Sequence, residues 1–351
     1  MKLSARVNRK YVRPSLIHAA LLLGSLIFLI PFAWLVVTSL KEDEDMSRFP
    51  PVWVPRQQTM ITLRGREVGL ATALYRGQRR RVAVIEERET GEQVLEIVEA
   101  GPDKGRVFTL PRSEVTKIRH IAPVWKNYPD TLKFLPPETN SGLVFVFNTV
   151  ILAVLSIIGT VLASSMVAFS FSRLRWPGRD GLFVVLLATM MLPGAVTMMP
   201  VFLIFRWLGW IDTLLPLWVP AFFGSAFNVF LLRQFFLTIP NDLEDAAKID
   251  GCGYFSIYHR IMLPLVKPAL AAITIMTFMG AWNNFMGPLI YTSSPLKLPL
   301  AYALQLFQTA HGGEPALLMA ASTMMMLPVL IVFFFTQRYF IQGVTLTGLK
   351  G

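Results

Sequence analysis

The chain has 351 residues, of which 54% are hydrophobic and only 16% charged. A soluble protein of this size carries more charge, so an ordinary soluble class is excluded. The formal net charge of +11 is spread over the flanks of apolar runs, which gives a nucleic-acid function no support.

In chain order, residues 1–13 come first, with Lys2, Arg6, Arg9, Lys10 and Arg13. They precede an apolar run over 14–40 that contains no Asp, Glu, Lys or Arg. The pair resembles a secretory leader. However, the run is longer than a signal core and no small-x-small cleavage site follows it, so an uncleaved first helix is predicted. Charge-free runs recur at 143–172, 181–205, 213–232, 268–296 and 315–337. About 20 apolar residues cross the hydrocarbon core as a helix, and each run reaches that length. The expectation is an all-α membrane protein of six transmembrane helices.

Basic residues set the expected orientation. Arg173, Arg175 and Arg179 follow the second run. Arg233, Lys248, Arg260 and Lys267 follow the fourth, and Arg338 and Lys350 follow the last. The opposite connections hold Arg206 alone and Lys297 alone. By the positive-inside rule both termini, 1–13 and 338–351, and the connection at 240–267 are cytoplasmic. The protein is then a multi-pass chain of the inner or plasma membrane.

Residues 41–140 are charged and contain no spanning run. "RRRVAVIEERETGEQVLEIVEA" alternates as two strands around Thr90-Gly91-Glu92, and "GPDKG" is a further turn before "RVFTL". A small β-rich extracytoplasmic insertion is predicted over about 57–121. Pro-Val-Trp occurs on both flanks, at 51–53 and 123–125. The repeat reads either as one short loop split by the insertion or as two unrelated interface anchors. Cys252 is the single cysteine, so no intrachain disulfide is possible.

The stretch "LEDAAKIDGCGYFSIYHRIMLP" (243–264) interrupts the apolar pattern. Asn241 with Glu244 three residues on predicts an N-cap. Leu243, Ala246, Ala247 and Asp250 are expected on one face, and Gly251 and Gly253 end that helix. A second short helix carries Tyr254, Ile257, Tyr258 and Ile261 and stops at Pro264. The result is a helix–turn–helix elbow, read either as a docking surface of carboxylates and small side chains or as a linker without a partner.

The spacing resembles the EAA loop of ABC-importer permeases: an acidic residue, two alanines, a glycine, then Ile-x-Leu-Pro. Here these are Asp245, Ala246, Ala247, Gly251, Ile261, Leu263 and Pro264. Asp245 stands where the family has glutamate, with Glu244 just before it, so either carboxylate can make the family's contact. "FNTVILAVLSIIGTVLASSMVAFSFSRLRWPGRDGLF", "FLLRQFFLTIPNDLEDAAKIDG", "WNNFMGPLIY" and "QRYFIQGVTLTGLKG" are similar to the carbohydrate-uptake subgroup. The resemblance covers about 14–50 and 122–351, with a permease core over 141–337, and leaves the insertion unexplained.

The resemblance implies a transport subunit rather than an enzyme. It implies a heterodimeric pore with a second permease, two copies of an ATP-binding subunit docked at Glu244–Ala247, Asp250, Gly251, Ile261, Leu263 and Pro264, and an extracytoplasmic solute-binding protein. ATP-Mg is then used by the partner, with no cofactor bound by this chain. The chain has no Gly-Lys dipeptide, hence no G-x-x-x-x-G-K-[ST] phosphate loop. His18, His120, His259 and His311 are too scattered to suggest a metal site.

Trp282, Asn283 and Asn284 fall within the fifth run, and Gln305 and Gln308 in the connection after it. Asparagine in hydrocarbon needs a partner helix or a wet cavity, and an indole face suits a sugar ring. These five residues are the expected solute path, with interhelical hydrogen bonding or a solvated face as the plain alternatives. The solute is expected to be a sugar or related polyol. A receptor that senses a ligand through the β-rich insertion is the competing reading; it needs an output domain that the sequence does not contain.

Overall fold

The computed structural model describes residues 13–46, 49–88, 90–309 and 314–347. It divides into two compact units, residues 1–131 with 314–323, and residues 132–313 with 324–351.

The first unit begins with α1 (Arg13–Ser39), which exposes Leu21, Leu22, Leu23, Leu26, Ile27 and Phe28 on all sides. A helix apolar all round belongs in lipid or against another apolar surface. A short acidic turn, α2 (Asp43–Met46), follows. All strands among the described residues then lie between Arg56 and Ile121. They are β1 (Arg56–Gln58), β2 (Met60–Leu63), β3 (Arg66–Tyr75), β4 (Gln78–Glu87), β5 (Glu92–Ile97), β6 (Val107–Pro111), β7 (Thr116–Lys117) and β8 (Arg119–Ile121).

Strands β2 to β6 form an antiparallel meander with β7 added to β3. Arg64-Gly65 and Arg76-Gly77 have positive φ at both residues (53° and 78°, 49° and 79°). That is the two-residue hairpin geometry matching strand twist, and glycine removes the steric cost at its second position. Ala71, Ala73, Val82, Leu95 and Ile97 are the buried face. At the neck, β1 pairs with β8, Arg56 opposite Ile121, so the chain enters and leaves the sheet side by side.

The acids at 42–45 are all partnered, and Arg119 is shared by Glu42, Glu44 and Asp45. Glu42 Oε1 accepts from the Gln58 N–H (3.0 Å). Asp43 Oδ1 accepts from the Ala316 N–H (2.9 Å), in the first turn of the last helix, where a carboxylate is favoured. Glu44 takes Arg112 (2.6 Å), Arg119 (2.6 Å) and Lys117. Asp45 is buried against Arg119. Burial opposes the charge on Glu44, yet Lys117 and Arg112 hold its carboxyl below the ordinary value.

Next come α3 (Asn127–Phe134) and then α4 (Leu143–Arg173), the longest span of the second unit. At 1.5 Å per residue α4 reaches ~46 Å. Buried Ser156, Thr160, Ser164 and Ala168 recur every four residues along it, a small-residue stripe that lets neighbouring helices approach closely. A Cβ on Gly159 would lie 2.4 Å from the Phe222 ring, so only glycine fits there.

The helices that follow are α5 (Arg179–Thr189), α6 (Gly194–Trp207), α7 (Leu215–Trp218) and α8 (Ala226–Leu237), with a 3₁₀ turn at Val219–Phe223. The elbow is α9 (Asn241–Ile249), α10 (Tyr254–Ile257), a π-turn (Tyr258–Met262) and α11 (Leu263–Leu265). Then come α12 (Lys267–Trp282), α13 (Met286–Tyr291), α14 (Leu300–Ala303), α15 (Leu306–Thr309) and α16 (Pro315–Thr347).

Among the described residues four stretches are long and apolar enough to span: Pro14–Ser39, Leu143–Arg173, Leu215–Leu237 and Pro315–Gln337. The expected six is reached only when two bent pairs count as one span each. α5 and α6 meet at 100°, and Tyr254–Leu265 meets α12 at 79°. The run 181–205 is therefore not a straight helix. Pro193 precedes α6 in an extended conformation, and proline offers no N–H to continue a helix. The run 268–296 also breaks, at Asn283–Phe285 between α12 and α13.

Candidate functional site: the polar elbow and the broken fifth run

α9 is fastened to the spans from below by Arg173, the last residue of α4. Its guanidinium donates to Asn241 Oδ1 (2.5 Å), to the Ile239 carbonyl (2.5 Å) and to the Phe236 carbonyl. It lies 3.8 Å from Glu244, with the Arg173 and Glu244 side chains 3% and 6% exposed. One side chain thus satisfies carbonyls near the end of α8 and anchors the start of α9, where backbone groups otherwise lack helical partners. Beneath the elbow, Phe169, Val229, Leu232, Phe236, Ile257, Met262 and Ile273 form a continuous apolar core.

The two adjacent carboxylates have opposite fates. Glu244 points into the body and also takes Lys248 at 2.9 Å; this hydrogen bond raises the Lys248 ammonium above its ordinary value. Asp245 is 65% exposed, with Lys248 at 3.6 Å as its one ion-pair partner among the described residues. Ala247 is buried in the core, while Ala246, Leu243, Ile249 and Asp250 are exposed. The face expected for Leu243, Ala246, Ala247 and Asp250 is therefore divided. Ala247 packs inward beside Glu244, and the other three face out.

The expected N-cap is also corrected. Pro240 occupies that place, and Asn241 is the first helical residue, its side chain held by Arg173 instead. Gly251 has φ +80°, with the Cys252 N–H returning to the Ala247 carbonyl, a glycine-terminated helix end. In the second arm Ile257 and Tyr258 are buried, with Ser165 and Tyr258 hydroxyls 2.7 Å apart, whereas Tyr254 and Phe255 are exposed. Ile261 and Leu263 pack on the core from its edge, and Pro264 is exposed within α11.

The solute-path candidates separate. Trp282 is buried, and its Nε1–H donates to the Met325 carbonyl (3.3 Å), with Phe278 stacked at 5.3 Å. Asn284 Oδ1 accepts from the Gly287 N–H (3.0 Å) and starts α13. Asn283 is exposed, and its amide donates back to the Met279 carbonyl (2.9 Å). Gln308 is exposed and Gln305 half-buried. The loop leading to them is pinned on α4, with Asn148 donating to the Leu296 and Leu298 carbonyls and Thr149 accepting from Leu300. Trp282 and Asn284 thus make structural bonds, and Asn283 alone of the three presents a surface.

Sequence reasoning missed two residues. Arg173 reads only as a topology charge at a span end. Asp212, at φ +58°, accepts from the Ser293 and Ser294 N–H groups (3.0 and 2.9 Å), the Ser294 hydroxyl (2.5 Å) and Lys297 (3.3 Å). It ties the loop after α6 to the loop after α13. The Ser294 hydroxyl first, then the two backbone N–H groups, hold its carboxyl far below the usual carboxylate range. The available signal was a lone acid flanked by two apolar runs. No group of three or more His, Cys, Asp or Glu among the described residues could hold a metal ion.

Several apolar spans and a short polar helix, clamped to them by a buried ion pair and exposing one face, are the features of a polytopic membrane protein. The family model for the inner membrane component of binding-protein-dependent transport systems matches residues 156–346, and the chain belongs to that family, among the ABC sugar-transport permeases. It is 36% identical over 228 residues to the arabinooligosaccharides transport system permease protein AraQ of Halalkalibacterium halodurans, covering 64% of this chain and 81% of that protein. It is 38% identical over 147 residues to the sn-glycerol-3-phosphate transport system permease protein UgpE of Rhizobium meliloti, covering 42% and 52%. The fold is similar to a chain of a bacterial ABC transporter involved in the import of the acidic polysaccharide alginate, with TM-score 0.63, 21% identity and 94% and 98% coverage.

Proposed function

We propose that this chain is the permease subunit of an ATP-driven importer for a sugar or related polyol. A soluble binding protein delivers the solute outside, a second permease completes the pore, and two copies of an ATP-binding subunit hydrolyse ATP-Mg. One copy docks on the elbow, which faces the cytoplasm together with both termini. The observation that carries this reading is the division of α9, with Glu244 and Ala247 locked inward and Asp245, Ala246, Ile249 and Asp250 outward. An exposed isoleucine beside a carboxylate and a small alanine suits a hydrophobic cleft with a basic rim. Asp245, not Glu244, is then the carboxylate that meets the partner.

Because α9 is clamped to α4 and α8 through Arg173, a push on the exposed face moves those helices as one body. The β-rich segment tunes docking of the binding protein, and Asn283 borders the solute route, with Gln305 and Gln308 near its outer mouth. The test is uptake by reconstituted complex carrying Ala246→Trp. The substitution meets open space in this chain but fills the docking face. Transport should be lost at unchanged amounts of membrane-inserted chain, and normal uptake rejects the docking role.

Orientation is tested with the single thiol. An impermeant maleimide should spare Cys252 in intact cells and label it in inside-out vesicles stripped of the ATP-binding subunit. A cysteine at exposed Ser113, in a Cys252→Ser background, should behave oppositely. Labelling of Cys252 from outside inverts the map.

A further inference from the structure

The turn between α4 and α5 contains a cavity that the transport reading does not use. It measures about 330 Å³ and is lined by Arg175, Trp176, Gly178, Arg179, Asp180 and Gly181. Arg175 is exposed and makes no ion pair among the described residues. Arg179 is held in place by the Leu174 carbonyl (3.2 Å) and by Asp180 (2.8 Å). Outside the cavity, the Arg233 guanidinium of α8 lies over the Phe183 ring (4.1 Å). Arg175 and Arg179 therefore line the cavity with a single carboxylate, Asp180, and its lining carries a surplus of positive charge.

Trp176 is fixed by its Nε1–H to Ser170 Oγ (3.1 Å) and by Phe171 at 5.4 Å. It stands three residues past the end of a membrane span, where amphipathic indoles mark the headgroup level. Beyond the cavity, Gly181, Val184, Val185 and Ala188 lie on one face of α5 and are all exposed. A cationic cup at the headgroup level thus runs directly into an apolar strip. A free phosphate needs only the cup, and an apolar partner helix needs only the strip. A glycerophospholipid with an anionic headgroup needs both.

We infer that this cup and strip form a binding site for one anionic phospholipid, its phosphate on Arg175 and Arg179 and an acyl chain along Val184 and Val185. Neither Gly178 nor Gly181 has any atom within 4 Å of where a Cβ would stand, so the cup is open beside both glycines. A side chain at Gly181 fills it without clashing with the protein.

The test uses the full-length chain, extracted with its co-purifying subunits into nanodiscs of equal phosphatidylglycerol and phosphatidylcholine. Tightly retained lipid is counted by native mass spectrometry. Each basic group near a membrane surface strengthens anionic-lipid binding several-fold, so two together are worth roughly tenfold or more. The native protein should hold one more phosphatidylglycerol per chain than either of two variants, Arg175→Gln/Arg179→Gln and the charge-preserving Gly181→Leu. Inorganic phosphate should not displace it. Equal retention of phosphatidylcholine, unchanged retention in both variants, or displacement by inorganic phosphate each overturns the site. Cross-linking of a cysteine at Gly181 to a neighbouring subunit, which makes the strip a protein interface, overturns it as well.

Discussion

Replacing Arg173 with methionine tests how the elbow is held. The change removes donors from the Phe236 and Ile239 carbonyls and from Asn241, and strips Glu244 of its buried partner. An orphaned buried acceptor costs about 1–3 kcal/mol. Breaking a buried ion pair costs about 3–5 kcal/mol when the remaining charge is left alone. Glu244 keeps Lys248 at 2.9 Å, and losses within one network do not add. We therefore expect about 3 kcal/mol, or roughly a hundredfold.

The assay is hydrogen exchange in nanodiscs. Amides of 241–250 should exchange roughly a hundredfold faster, while those of 152–165 in α4 stay unchanged. Adding Glu244→Gln to the variant should restore part of the protection, because the stranded charge is gone. If Arg173→Met leaves exchange over 241–250 within about threefold of the native rate, the clamp contributes nothing and the coupling argument built on it fails.

Asp245→Asn should leave exchange of α9 unchanged while weakening ATP-driven uptake; a folding defect would show Asp245 to be structural. Ala247→Trp, by contrast, overpacks the core by about 1–3 kcal/mol and should lower the thermal unfolding temperature as well as transport. Gly159→Val should do the same through Phe222, read by heat-induced aggregation of the detergent-solubilised complex. Asp212 gives a pH dependence with a definite sign. A carboxyl held below its ordinary 3.8 stabilises above that value and loses the effect as pH falls through the lowered one. Exchange over 293–297, corrected for its intrinsic rate, should be flat from about pH 5 to about pH 8 and rise only in stronger acid. Loosening already near pH 6 would contradict the hydrogen-bond assignment.

The spans were legible because charge is costly in hydrocarbon, so its absence over 20 residues marks them. The hairpin of β4 and β5 was legible from alternation around Thr90-Gly91-Glu92, whereas β2 and β3 were overlooked although Arg-Gly at 64–65 and 76–77 marks both turns. The bends were not legible. A proline in an apolar run reads the same whether the helix kinks slightly or turns by 100°. The elbow was located by its spacing, but not which way it faces. Leu243 and Ile249 are apolar and therefore suggest a buried face, yet both are exposed. Burial of Glu244 depends on Arg173, 71 residues earlier, and no local pattern encodes that pairing. The bond from the Gly287 N–H to Asn284 Oδ1 exists only once the run breaks, so nothing in the apolar pattern signals it.

The side-by-side neck at Arg56 and Ile121 makes the β-rich segment look like a cassette that can be lifted out and its ends rejoined. The acids at 42–45 oppose a clean excision. Arg112, Lys117 and Arg119 leave with the cassette, and Asp45, whose side chain is fully shielded from solvent, stays behind without its Arg119 partner. A graft that swaps this cassette for another must therefore bring its own cations to the same place, or carry Glu44→Gln and Asp45→Asn. Transplantability here is decided by charge balance across the cut rather than by how well the ends meet.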